Sequence, residues 1–348
     1  MTSALANLGL RIPVIAAPMA GGATTPAMVL AAARAGGLGL LAAGYKTAEG
    51  LLAEISSVQQ ESIPFGVNVF APNPVPITVE SYGRYAAAVQ READRFGLTL
   101  PTEPIEDDDA FKAKIDVLLS NPVPLVSFTF GIPDGDVIRA LQKAGTTVVQ
   151  TVTTDHEAQS AAAAGVDMLA VQAVVAGGHS GTLTPDRMPD PVPITDLITQ
   201  VAGSVRLPLI AAGGLSTPED VAGVLRAGAE AAAVGTVLLL ADESGASATH
   251  RAALTDPART DTVLTRAFTG RPARGLRNRF IDDFESSAPL GYPAIHHLTG
   301  PLRKAAAAAG EADLVHLWAG TGYRHARQES TVAILTRLAG EASPRSSS

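Results

Sequence analysis

The chain contains no cysteine. That removes disulfides, thiolate metal sites and a cysteine nucleophile from consideration. Aromatic residues are scarce, at 4%, and alanine is abundant instead, which suits many helices packed closely through small side chains. There is no cluster of lysine and arginine, and the net charge is −8. Nucleic acid is therefore not expected as a main partner. The apolar runs are broken by glycine and threonine and fall short of a membrane span, so no membrane partner is expected. No G-x-S-x-G elbow is present to anchor hydrolase chemistry. No HExxH pair exists and His296 and His297 are adjacent, so no metal site is expected. The start carries a single Arg11 and runs straight into a strand-like segment without a signal-peptide pattern, so a cytoplasmic location is the expectation.

What is present is a regular beat of strand, loop and helix. The 348 residues are 46% hydrophobic, enough for one large α/β barrel with an extension. Strands are predicted at 12–16, 38–42, 65–70, 125–129, 147–152, 167–172, 207–212 and 231–234. Helices are predicted at 27–35, from Thr47 to about 58, and at 134–144, 155–164, 194–202 and 217–227. Thr25 with Pro26 reads as an N-cap and first-turn pair. Strands alternating with helices in this number call for a closed parallel barrel, a TIM (β/α)8 fold, over residues 1–237. The beat pauses at an insertion of about 71–123, which is Pro-rich, then helical around 79–96, then acidic. We read that stretch as the third helix plus an insertion. From 238 to 340 the beat stops, and a mostly helical cap or lid is expected. Residues 341–348 read as a disordered tail.

The most informative stretch is VQAVVAGGHSGT, residues 171–182. A buried strand ends at Gly177-Gly178 and presents one histidine, His179. Paired glycines let a backbone approach a bound group closely, and a histidine there is suited to handling a proton near neutral pH. In a barrel the reactive face lies at the carboxyl ends of the strands. That gathers Ala17, Pro18 and Met19 after strand one, Gly44, Tyr45 and Lys46 after strand two, and Asn68 on strand three. Gln172 and the His179 loop follow strand six. Gly213 and Gly214 end strand seven, and Gly235 and Thr236 end strand eight. Barrels often bind phosphate with the last two loops, through bare backbone N–H groups. The plain alternative is that these glycines only make tight turns. A phosphate there implies a phosphorylated substrate or a cofactor such as FMN.

Two motifs fail on context. Gly37-Leu38-Gly39-Leu40-Leu41-Ala42 matches a dinucleotide fingerprint but follows a helix and enters a strand, the reverse of the required order. Gly39–Thr47 resembles a phosphate-binding P-loop, yet Tyr45 separates the second glycine from Lys46. Asp107, Asp108 and Asp109 read as a solvated loop. Trp318, the only tryptophan, is expected to pack the cap onto the barrel.

Taken in order, IPVIAAPMAGGATTPAMVLAAARAGGLGLLAAGYKT, FGVNVF, AGGHSGT, IAAGGLSTPEDV and AVGT resemble class I nitronate monooxygenases, formerly called 2-nitropropane dioxygenases. The likeness continues through FTGRPARGLRNRF, HHLTGPLR and LWAGTGYR. The resemblance implies a barrel holding non-covalent FMN that oxidises alkyl nitronates with molecular oxygen to a carbonyl compound and nitrite through a flavin semiquinone, and it leaves open whether neutral nitroalkanes are used as well. It assigns His179 as the catalytic residue. It assigns Ala17, Pro18, Met19, Asn68, Gln172, Gly177, Gly214, Gly235 and Thr236 to the flavin. Gly178 and Gly213 join them as neighbours in the same loops. Lys46 and Tyr292 are further candidates for substrate contacts. The chain departs from the family pattern at Val175, where a carboxylate is usual, at Ala233 and at Thr321, where glutamine is usual. Two alternatives stay open: a flavin-dependent NAD(P)H-using reductase on the same barrel, and a non-catalytic flavin- or partner-binding module. A homodimer is left open as the assembly.

Overall fold

The computed structural model describes Leu5 and residues 8–340; the expected tail at 341–348 lies outside the described residues. Eight parallel strands close a barrel in chain order: β1 (Val14–Ala16), β2 (Leu38–Ala42), β3 (Gly66–Ala71), β4 (Leu125–Phe130), β5 (Thr147–Val152), β6 (Met168–Gln172), β7 (Leu209–Ala212) and β8 (Ala231–Val234). Closure is made by β8 beside β1, with Val14 opposite Ala232. The strands are buried on both faces, which is why they read as nearly continuous apolar runs. Among the described residues, no helix is long and apolar enough to cross a membrane.

The wall helices are α1 (Pro26–Arg34), α2 (Ala48–Gln59), α3 (Phe111–Ser120), α4 (Gly135–Lys143), α5 (Asp155–Ala164), α6 (Ile194–Ser204), α7 (Pro218–Arg226) and α8 (Thr331–Ala339). Several start where the sequence says they should. Thr25 accepts a hydrogen bond from the Met28 amide with Pro26 in the first turn, and Thr47 accepts from the Gly50 amide. Thr217 and Asp220 complete a capping box on α7, satisfying amides the helix itself leaves free. The misleading Gly37 and Gly39 serve packing. A Cβ on Gly37 would stand 2.4 Å from the Val14 carbonyl oxygen, and one on Gly39 2.6 Å from the Val29 Cα. Glycine there lets α1 seat on the sheet.

Two helices of the wall differ from the sequence reading. The helix Val79–Asp94 packs in the cap against Ala294–Ala309, and the third wall helix is α3, next to α2 and α4. No side chain caps α3, and its N-cap position, Ala110, is left-handed, so no start signal marks it. The cap interrupts the last unit: α8 lies after it in sequence but packs on β1 between α1 and α7, burying Ile334, Leu335 and Leu338 in the barrel's core.

A second apolar core joins the insertion to the segment after β8 through Tyr82, Tyr85, Phe268, Leu298 and Leu317. The Tyr85 hydroxyl donates to the Ala267 carbonyl at 2.6 Å. A three-stranded sheet stitches this cap to the barrel: Thr262–Thr265, Ala273–Leu276 and the two-residue strand Gly178–His179. The loop after β6 is thus a strand of the cap sheet.

Candidate active site

A cavity of about 630 Å³ opens at the carboxyl ends of the barrel strands, beneath the cap. Its floor is the barrel's interior layer, Ile15, Leu40, Leu125, Val149 and Ile210. Above them the inward positions become small or polar, including Asn68, Ser127, Gln172 and Ala212, and the space results from that change in side-chain volume.

All the residues expected to hold a cofactor border this cavity: Ala17, Pro18 and Met19; Asn68; Gln172, Gly177 and Gly178; Gly213 and Gly214; Gly235 and Thr236. Gly213 and Gly214 both have positive φ, 103° and 74°. A Cβ on Gly213 would stand 3.0 Å from the Ala173 carbonyl oxygen, and one on Gly214 3.0 Å from a Val175 methyl. The amide N–H groups of Gly213, Gly214, Gly235 and Thr236 have no protein acceptor among the described residues. Asn68 donates its amide hydrogens to Ser127 at 2.8 Å and Thr129 at 3.0 Å, leaving its carbonyl oxygen available to accept. Gln172 is spent on the neighbouring loop: its oxygen accepts from the Gly181 amide at 2.7 Å and its nitrogen donates to the His179 carbonyl at 3.2 Å.

His179 borders the same cavity, fixed by backbone pairing with Ala273. Its Nε2 lies 2.9 Å from the Thr269 hydroxyl, and that hydroxyl donates to the Arg271 carbonyl at 3.3 Å. The Thr269 hydroxyl thus lies between the imidazole and the Arg271 carbonyl and holds the ring by its Nε2 edge. Burial first, then the positive charges of Arg271 and Arg303, hold the imidazole's pKa down to about 3. It is neutral at pH 7.

Above the floor, His179 belongs to a connected set of aromatic and basic side chains, of which His179, His296, Arg303, His316 and Trp318 border the cavity. His179 is 5.5 Å from Trp318, Trp318 is 5.3 Å from His316, and His179 is 5.7 Å from Tyr292. Tyr292 is 6.3 Å from His296. Arg303 closes the circuit, donating to His316 at 3.2 Å and to the His296 carbonyl at 2.7 Å. Burial pushes both histidines well below the usual imidazole range and lowers Arg303 to about 10. Arg271 is fully buried, with its guanidinium 4.2 Å from the centre of the Phe130 ring.

Neither of the two proposed substrate contacts is among the residues bordering the cavity: Tyr292 packs beside His179, ring centres 5.7 Å apart, with its hydroxyl 3.4 Å from that of Tyr45. Lys46 does not face the cavity. Its ammonium donates to both carboxylate oxygens of Glu54, at 2.6 and 2.5 Å, and that ion pair draws it toward α2. The acidic triplet is not simply a solvated loop either. Asp109 accepts from the Tyr45 amide at 2.9 Å and pairs with the buried Lys114 at 2.6 Å, while Asp107 meets His297 at 2.8 Å. His296 stacks on Tyr45 with ring centres 4.2 Å apart. Sequence reasoning missed Thr269, Arg271, Arg303 and His316. A usable signal was present in the helix Ala294–Ala309, where His296, Thr299 and Arg303 follow helical spacing and so share one face.

The sequence model of the nitronate monooxygenase family matches residues 2–339. A Staphylococcus saprophyticus protein named "Probable nitronate monooxygenase" is 35% identical over 344 residues, covering 96% of each chain. A Staphylococcus aureus protein of the same name is 36% identical over 336 residues, covering 95% of this chain and 94% of its own. Among solved structures, a nitroalkane oxidase from Streptomyces ansochromogenes superposes with a TM-score of 0.93 at 46% identity, covering 97% of both chains. FabK from Thermotoga maritima, at 24% identity and a TM-score of 0.75 over 97% of this chain and 95% of its own, shares the fold.

Proposed function

The chain belongs to the nitronate monooxygenase family, and from that premise we propose that it binds FMN and uses molecular oxygen to convert alkyl nitronates to a carbonyl compound and nitrite. The observation that carries this reading is one cavity bordered by both the glycine ends of β7 and β8 and His179. The site fits the cofactor. Four bare amides on left-handed or tight turns suit a phosphate, and side chains at Gly213 or Gly214 would crowd that cradle. Ala17, Pro18, Met19, Gly177 and Gly178 would border the rest of the group, and Asn68 offers a carbonyl oxygen to an N–H. When bound, the flavin supplies the electron acceptor and the reaction with oxygen. We take 72–110 and 239–329 as a two-part cap that keeps bulk water from this cavity.

His179 acts on the substrate. With its pKa held to about 3, it is a weak base and a neutral hydrogen-bonding group at pH 7. A nitronate is already deprotonated and needs placement rather than proton removal. A neutral nitroalkane would need a base, and protonating His179 beside Arg271 and Arg303 is electrostatically opposed. The name of the Streptomyces neighbour supports a second reading, nitroalkane oxidation, but the neutral imidazole favours the nitronate. Oxygen uptake and nitrite formation with an alkyl nitronate, with FMN identified by mass in the purified protein, test the reading. His179→Asn should keep FMN and lose turnover; a variant as fast as the parent refutes the role of His179.

A further inference from the structure

The chain carries 34 acidic and 26 basic residues, yet no aspartate or glutamate borders the cavity among the described residues. Its charged lining is instead Arg303, with Lys304 exposed one residue on. Arg303 is 6% exposed and every partner it has is neutral: Thr299 at 3.0 Å, the His296 carbonyl at 2.7 Å and the His316 ring at 3.2 Å. Those bonds satisfy donors without compensating the charge. A buried guanidinium is costly unless it meets an anion, and helical spacing on Ala294–Ala309 fixes it in place with His296 and Thr299.

We propose that Arg303 is an anion-binding site, held by Thr299, His296 and His316, that takes a compact oxyanion, the charged group of the substrate. The inference rests on the proposed function for the identity of that substrate. Phosphate from the flavin is the other source of an oxyanion, and the two give different results. Trp318, the only tryptophan, lies 5.3 Å from His316, so its fluorescence reports occupancy without turnover.

The experiment titrates the flavin-loaded protein with propionate, an unreactive carboxylate, while following Trp318 emission. A saturable change is expected in the parent. Arg303→Met should weaken it by roughly tenfold or more, as for loss of a charge-assisted hydrogen bond, and raise KM for nitronate at unchanged flavin content. Arg303→Lys should retain part of the response. Absence of any propionate effect in the parent overturns the proposal without recourse to a variant. So does an Arg303→Met protein that binds propionate like the parent, or one that loses flavin instead. A propionate response in a protein that does not oxidise nitronate would leave the anion site standing and remove the functional reading.

Discussion

The cavity has two halves built on different principles. The barrel half offers glycine backbone, small side chains and amides, and no charged side chain reaches it from the strands. The cap half offers Arg303, Lys304, His296, His316 and Trp318. The lower half is suited to holding a large group by shape and peptide dipoles, the upper half to recognising a small charged one. His179 belongs to both: it leaves the barrel after β6 and pairs as a strand of the cap sheet. A group placed at the seam can face a cofactor below and a substrate above.

Substitutions can break this division. The largest effect is expected at the seam, where His179→Asn should lower kcat for nitronate by roughly 10²–10⁴-fold with flavin content unchanged, measured by nitrite formation. In the barrel half, Gly214→Val should empty the site of flavin, because φ is 74° and the added Cβ would stand 3.0 Å from a Val175 methyl; absorbance per mole of protein reads this directly. At the joint, Thr269→Val should cost about tenfold in kcat, the scale of one hydrogen bond, with Thr269→Ser restoring it. The pH dependence sharpens the electrostatic half. His179 is held to about 3 and His250 to about 4 against an ordinary 6.5, both chiefly by burial. The unfolded chain therefore binds these protons first, so stability is full above pH 6.5 and declines as pH falls toward 4. Urea midpoints across pH 4–8 check this, and kcat/KM should show no inflection from His179 between pH 6 and 8. Smallest of all is Lys46→Gln, which breaks a partly exposed ion pair and should change stability by about 1 kcal/mol or less, leaving KM for nitronate as it was.

The two halves also differ in how far they can be read from sequence. The barrel strands are local apolar runs, several ended by glycine and four of them followed by helices capped by Thr25, Thr47, Thr154 and Thr217, so both their existence and the residues at their ends could be named in advance. The cap half depends on contacts between distant segments. His179 meets Thr269 across 90 positions of sequence, and nothing near either residue announces the other. Arg303 lay in a visible segment, HHLTGPLR, but its importance comes from what is missing around it, a carboxylate. Only the folded chain shows that. The α3 and α8 helices were misplaced for related reasons: one lacks a capping side chain, and the other is separated from its strand by the cap. Lys46 looked available because its partner, Glu54, lies a further eight residues along.

The proposed division of labour between His179 and a bound flavin is tested by anaerobic mixing of the purified protein with an alkyl nitronate, followed at the visible absorbance of the flavin. The expected result is a protein that carries FMN, whose absorbance bleaches with nitronate and not with NADPH, and whose His179→Asn variant keeps the colour but fails to bleach. A protein with no flavin and no capacity to take it up, or one bleached by NADPH while indifferent to nitronate, would contradict it.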